Sequence, residues 1–159
     1  MTSITGKNDN IEGAMSEYVT AVIGGQLFGL PISRVQDVFA PDRLTRVPLA
    51  LPEIAGLLNL RGRIVTAINM RARLGLPARD DGIQSMAVGV DLRGESYGLL
   101  IDSIGEVLKL PDDGCEANPV NMDPRMARMS AGVHRLDGHL MVVLDVDRIL
   151  EMSSGAMAA

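Results

Sequence analysis

The chain has 159 residues, 15 Lys and Arg against 20 Asp and Glu, a formal net charge of −5 and a hydrophobic fraction of 47%. An acidic balance with only 3% aromatics and no Trp argues against nucleic acid, which asks for a basic footprint and stacking platforms. The only cysteine, Cys115, leaves no internal disulfide and no thiolate metal cluster; no apolar run reaches the ~18 residues that span a bilayer, and no basic-then-apolar signal pattern opens the chain, so a reducing cytosol is expected.

Along the chain, residues 1–16 are polar, without periodicity, and read as a loose tail. Short apolar segments then alternate with Gly, Pro and Asp turns. Gly24-Gly25, Arg61-Gly62, Arg93-Gly94 and Asp137-Gly138 each sit between two apolar runs, as hairpins require. A short helical piece is expected near Pro52–Ala55 and another at Met70–Leu74. Ile64–Ile68 and Leu140–Leu144 are continuous apolar runs, short enough for buried strands, whereas Met86, Val88, Val90 and Leu92 alternate at period two. Leu76 to Gly82 reads as a linker, Val146–Met152 as a closing helix, and 153–159 as a second tail. The chain is mainly β.

Sliding the chain against itself exposes an internal duplication. Phe28-Gly29-Leu30-Pro31-Ile32 matches Tyr97-Gly98-Leu99-Leu100-Ile101 at an offset of 69 (28 to 97), and Val35, Asp37 and Val38 meet Ile104, Glu106 and Val107 at the same offset. Ala55-Gly56 meets Ala131-Gly132 at an offset of 76 (55 to 131), with Leu60-Arg61-Gly62 on Leu136-Asp137-Gly138. Two copies of one unit, each of about five strands, predict two small barrels, with Gly29 and Gly98 at barrel bends. The expected bounds are 17–75 and 85–145, joined by a linker over 76–84 and followed by the helix at 146–152. Barrels this small bury little alone, so the copies are expected to share an interface and fold together.

No catalytic set stands out. Neither Lys7 nor Lys109 follows a Gly-rich loop, which excludes a P-loop. His134 and His139 flank the Asp137-Gly138 turn without a cysteine to complete a zinc set. Gly94-Glu95-Ser96-Tyr97-Gly98 fits the G-x-S-x-G nucleophile pattern, but that motif needs a strand-to-helix elbow, and Ser96 opens the second strand of a hairpin. Asp80-Asp81 and Asp112-Asp113 read as solvated turns. Met122, Met126 and Met129 read as core filling, with an adaptable surface as the alternative. No catalytic residue, metal site or cofactor is expected, and the residues describe a binding module.

Val35-Gln36-Asp37-Val38, the stretch Gly56-Leu57-Leu58-Asn59-Leu60-Arg61-Gly62, Leu74-Gly75, Tyr97-Gly98-Leu99-Leu100-Ile101-Asp102 and Gly105-Glu106-Val107-Leu108 resemble the CheW family of chemotaxis coupling proteins. The resemblance runs from about residue 17 to 152. It implies two five-stranded SH3-like barrels and an adaptor without activity of its own. Such an adaptor is cytoplasmic and recruited to membrane-associated arrays, where it bridges the tips of chemoreceptors to the regulatory domain of the histidine kinase CheA. Nucleic acid, small-molecule substrates and membrane insertion are not implied.

Carried over by position, the resemblance assigns receptor coupling to Ile32, Val35, Asp37, Gly56, Asn59, Arg61 and Val107. It assigns kinase binding to the region of Leu44, Arg46, Leu49 and Leu51. Arg61 is the charge expected to contact or orient the receptor, because a planar guanidinium holds a carboxylate or backbone with two bonds. The aliphatics suit helix-in-groove recognition. Asp37 stands where the family usually has Glu, Asn69 where Asp is common and Thr66 where Pro is frequent, departures that bear on which receptors are served. The rival reading is a β-barrel adaptor of a non-chemotaxis pathway that binds a different kinase or a peptide.

Overall fold

The computed structural model describes residues 14–41, 44–46, 51–60, 62–78 and 86–151. Its strands are β1 (Met15–Ile23), β2 (Gln26–Pro31), β3 (Val35–Phe39), β4 (Leu44–Thr45), β5 (Ile54–Leu60), β6 (Arg63–Asn69), β7 (Met86–Leu92), β8 (Glu95–Ile101), β9 (Ser103–Pro111), β10 (Cys115–Glu116), β11 (Ser130–Leu136) and β12 (His139–Leu144). Helix α1 spans Met70–Leu74 and α2 spans Pro124–Met129; α3 covers 146–151. The fold is mainly β, as expected. Pro52–Ala55 is not helical: Pro52 and Glu53 form a turn, and β5 starts at Ile54 because its backbone pairs with Ile68 of β6.

The strands form two six-stranded sheets, in the orders β9-β1-β2-β12-β11-β10 and β3-β7-β8-β6-β5-β4. In the first, the edge strands β9 and β10 are separated by three residues, Asp112–Gly114. Chain reach limits Pro111 and Cys115 to about 14 Å apart, whereas the edges of a flat six-stranded sheet lie about 24 Å apart. That sheet therefore curls back on itself.

The sheets do not divide at the expected linker. The second sheet is built from 35–101 without interruption, and the first from 15–31 together with 103–144. Each sequence copy thus lends one hairpin to the other's sheet. Val142 pairs with Phe28 in parallel, and the equivalent Thr66 pairs with Tyr97. Offset matching detects which segments are alike but not which ones pair, so it could not reveal this exchange. Met15 and Ser16, read as tail, open β1 because Pro111 and Leu110 of β9 pair with them.

One core lies between the sheets. Ala21, Phe28 and Leu30 of the first meet Ile68, Val88, Val90 and Leu99 of the second, together with Met70 and Leu74 of α1 and Val146, Ile149 and Leu150 of α3. Each sheet also encloses a smaller core, Leu58, Val65, Ala67 and Ala87 in one, Tyr18, Met141 and Val143 in the other. Strands with both faces covered lose the polar alternation. That explains the run Leu140–Leu144, in which Met141 and Val143 face their own sheet's core while Val142 and Leu144 face the shared one. Gly29 and Gly98 stand where side chains of the small cores press on the strand; a Cβ on Gly29 would collide with Met141, and one on Gly98 would touch Leu58.

Helix α1 has its expected bounds. Asn69 caps it by accepting from the Ala72 amide at 3.2 Å, and Gly75 ends it at φ 78°. Helix α2 was not anticipated, although Asp123, which accepts from the Arg125 amide at 2.8 Å, and Pro124 at the first helical position form a readable start signal. Met129 is buried while Met122 and Met126 pack partly buried against the shared core, which bears out core filling.

Candidate functional site

Ile32 lies in the single 3-10 turn Ile32–Arg34 between β2 and β3 and is 40% exposed. Val35 opens β3 opposite Val90, half-buried against the shared core. A bulge between Val35 and Asp37 sets Asp37 opposite Gly89, and Asp37 Oδ1 accepts from the Val38 amide at 2.9 Å. The bulge re-aims the acid toward the β5–β6 hairpin: Gln36, Asp37, Leu60, Arg63, Gly89 and Tyr97 are among the walls of one cleft of about 190 Å³. At its rim Arg63 Nη2 donates to Ser96 Oγ at 2.8 Å, and Ser96 Oγ donates to Asp91 Oδ1 at 2.9 Å.

The duplication repeats this cleft. In the first sheet the same bulge falls between Ile104 and Val107. A cleft of about 450 Å³ is lined there by Thr20, Leu27, Gly105, Glu106, Leu136 and His139, counterparts of Gly89, Ser96, Gln36, Asp37, Leu60 and Arg63, with Leu108 and Leu110 beside them. The two linings have diverged: Asp37, Arg63 and Ser96 make one polar, and four leucines make the other apolar.

The hairpin residues have structural tasks. Asn59 Oδ1 accepts from the Gly62 amide at 2.9 Å, closing the β5–β6 turn. Gly56 has φ 148°, and a Cβ there would collide with the Thr45 carbonyl, so the missing side chain lets β4 lie against β5. Arg61 and Leu49 lie outside the described residues. Leu44 and Arg46 are exposed on and just after edge strand β4, and Leu51 is exposed just before β5. Val107 sits in the other sheet, 48% exposed, in one row with Val19 and Leu30. The structure therefore joins Asp37 to the β5–β6 hairpin and keeps Val107 apart on the second bulge. Sequence reasoning missed Val38, the exposed counterpart of Val107, and Ile64, which is 65% exposed although it begins an apolar run.

His134 and His139 do not face each other. His134 is buried beside the Tyr18 ring, at 5.5 Å between centroids, and pairs with Met141, whereas exposed His139 pairs with Leu136. Ser96 is a mid-sheet residue of β8, not an elbow before a helix. Among the described residues no group of three or more His, Cys, Asp or Glu is placed to hold a metal ion.

Two interlaced sheets around one core, with a like cleft on each, define a duplicated two-sheet β-protein. The sequence model of the CheW-like domain matches residues 17–154, and the chain belongs to that family. It is 26% identical over 135 residues to the chemotaxis protein CheW of Thermotoga maritima, covering 85% of this chain and 87% of that one. It is also 21% identical over 142 residues to that of Bacillus subtilis, covering 89% and 91%. Its fold matches that of the scaffolding protein TtCheW from Thermoanaerobacter tengcongensis with a TM-score of 0.76 at 24% identity, over 87% of this chain and 94% of that chain.

Proposed function

We propose that this protein is a non-catalytic adaptor that couples the cytoplasmic tips of chemoreceptors to the regulatory domain of a CheA-type histidine kinase in bacterial chemotaxis, working in the cytoplasm at receptor arrays. The observation that carries the reading is the pair of equivalent clefts with different linings, set on one body with a shared core. A bridging protein needs separate surfaces held in fixed relation, and a duplicated fold supplies them. Family membership over 17–154 supports the chemotaxis context.

In this reading the receptor helices lie against Ile32, Val35, Asp37 and the hairpin bearing Gly56, Asn59 and Arg61, with Val107 as the aliphatic of the second bulge. The kinase takes the β4 edge at Leu44 and the neighbouring Arg46 and Leu51, and the resemblance adds Leu49. Helix-in-groove contact uses exposed aliphatics as anchors and polar neighbours to set register. A coupling energy of about 1–3 kcal/mol between the two sites is enough to bias a kinase equilibrium. Ser96 is engaged by Arg63 and Asp91 in the sheet opposite to both histidines, which supports the non-catalytic reading.

Size-exclusion chromatography with light scattering tests the proposal, mixing this protein with the kinase regulatory domain at roughly 20 μM. A stable complex is expected, and its absence overturns the kinase assignment. Arg61→Glu and Ile32→Glu should then keep the melting temperature but lose receptor-dependent control of autophosphorylation. Unaltered control in both would remove the receptor assignment.

A further inference from the structure

A third recess, separate from both clefts, lies where α1, the end of α2 and α3 meet. It measures about 460 Å³ and is lined by Arg73, Arg128, Met129, Arg148 and Glu151. Its lining holds three guanidiniums and one carboxylate, on a chain whose formal charge is −5. Elsewhere arginines meet carboxylates at short range, as Arg34 does with Asp147 at 2.8 Å and Arg71 with Asp102 at 2.6 Å. Here they do not.

Arg73 is the unusual member. It is only 5% exposed, yet its hydrogen-bond acceptors are two neutral carbonyls: Nε donates to Ile149 O and Nη2 to Arg148 O, both at 2.9 Å. No carboxylate among the described residues forms an ion pair with it, and Nη1 has no acceptor there. Arg148 is held loosely, its Nε 3.5 Å from Asp145 Oδ2 and its Nη1 3.5 Å from the Arg128 carbonyl. Arg128 is exposed. Burial works most strongly against the charge of Arg73, Glu53 supports it, and the smaller effects of Arg128 and Glu151 oppose each other. A buried cation with no carboxylate in direct contact among the described residues, beside two further guanidiniums, is an arrangement an anion completes.

We propose that this recess binds a phosphate-class oxyanion, held by Arg73, Arg128 and Arg148. Three guanidiniums converging on one recess offer more donors than a carboxylate can use and suit the three oxygens of a phosphoryl group. Guanidinium edges donate paired bonds to phosphate oxygens. Met129 and the methylene stems of the arginines give an apolar wall for the organic part of a monoester. The anion is either free phosphate or a phosphoryl group carried on another molecule, and the two sources share the same donors.

The test is an NMR titration of the full chain, following arginine Nε–Hε resonances with inorganic phosphate and, separately, phenyl phosphate. Sodium chloride at matched ionic strength and sodium acetate are the controls. Saturable shifts with both phosphates, weaker with acetate and absent with chloride, are expected. The double substitution Arg128→Gln with Arg148→Gln, at exposed positions that leave the fold intact, should weaken binding at least about tenfold. Tighter binding of phenyl phosphate identifies a carried phosphoryl group, and equal or tighter binding of inorganic phosphate identifies the free ion. Shifts that track ionic strength alone, or unchanged affinity in the doubly substituted protein, overturn the proposal.

Discussion

Arg71 and Asp102 form a two-bonded ion pair, Nε to Oδ1 at 3.0 Å and Nη2 to Oδ2 at 2.6 Å, and the same Oδ2 accepts from the Gly24 amide at 2.9 Å. One carboxylate thus ties α1 to the turn of the β1–β2 hairpin, which belongs to the other sheet. The duplication repeats the device with its signs reversed. Asp147 of α3, the counterpart of Arg71, pairs at 2.8 Å with Arg34, next to the counterpart of Asp102.

The two pairs differ in burial, and their deletion should differ accordingly. Arg71→Ala leaves a largely buried carboxylate short of its partner and should cost about 1–3 kcal/mol. Arg34→Ala frees an exposed carboxylate and should cost no more than ~1 kcal/mol. Urea unfolding of both variants checks the contrast, and equal losses would show that burial does not separate them.

Gly56→Ala combines a conformation unfavourable to a side chain with a collision against Thr45. A loss of about 1–3 kcal/mol is expected. The displaced element is β4, so kinase-domain affinity, read by titration calorimetry, should fall with stability. Normal affinity in a destabilised variant would disconnect β4 from kinase binding.

The two valines near the bulges should separate packing from contact. Val35→Ala removes methyl groups packed on the shared core and should cost about 1–2 kcal/mol. Val107→Ala touches an exposed position and should stay within ~0.5 kcal/mol while lowering receptor control of the kinase. Paired thermal melts and kinase assays decide. A large loss of stability at Val107 would make it a packing residue.

Burial raises the Tyr18 phenol above its ordinary 10.0, with the charge of Cys115 adding to the shift. A raised value in the folded state means the unfolded chain ionises first. The associated stability is therefore full below pH 10 and lost as pH climbs through the raised value. Urea midpoints of the wild type and Tyr18→Phe should run parallel up to about pH 10, and the wild type should drop faster between there and the raised value. Parallel curves throughout would contradict the assignment.

Local features were legible because their causes are local. Asn69 and Gly75 bracket α1, and the alternation from Met86 to Leu92 marks a strand whose faces meet different cores. The match of Val35–Val38 with Ile104–Val107 foretold the same bulge twice without naming it. What escaped depends on distant partners. Nothing near Leu27 signals that it pairs with Met141. Ile64 looked buried because an apolar run carries no mark of which member lies beyond the last covering strand. Of the candidate site, the bulge and hairpin motifs were readable, but the cleft they build together needed the fold, and the arginine recess joins three short helices far apart in the chain.

Synthesis on the ribosome meets the exchanged hairpins one at a time. Once residue 101 has emerged, every strand of the second sheet is available to close. The β1–β2 hairpin, made first, has to wait for Leu144 before its neighbour β12 exists in full. A nascent chain halted between those points carries one finished sheet and one open hairpin edge, the form in which a chaperone or a second nascent copy would find it most exposed.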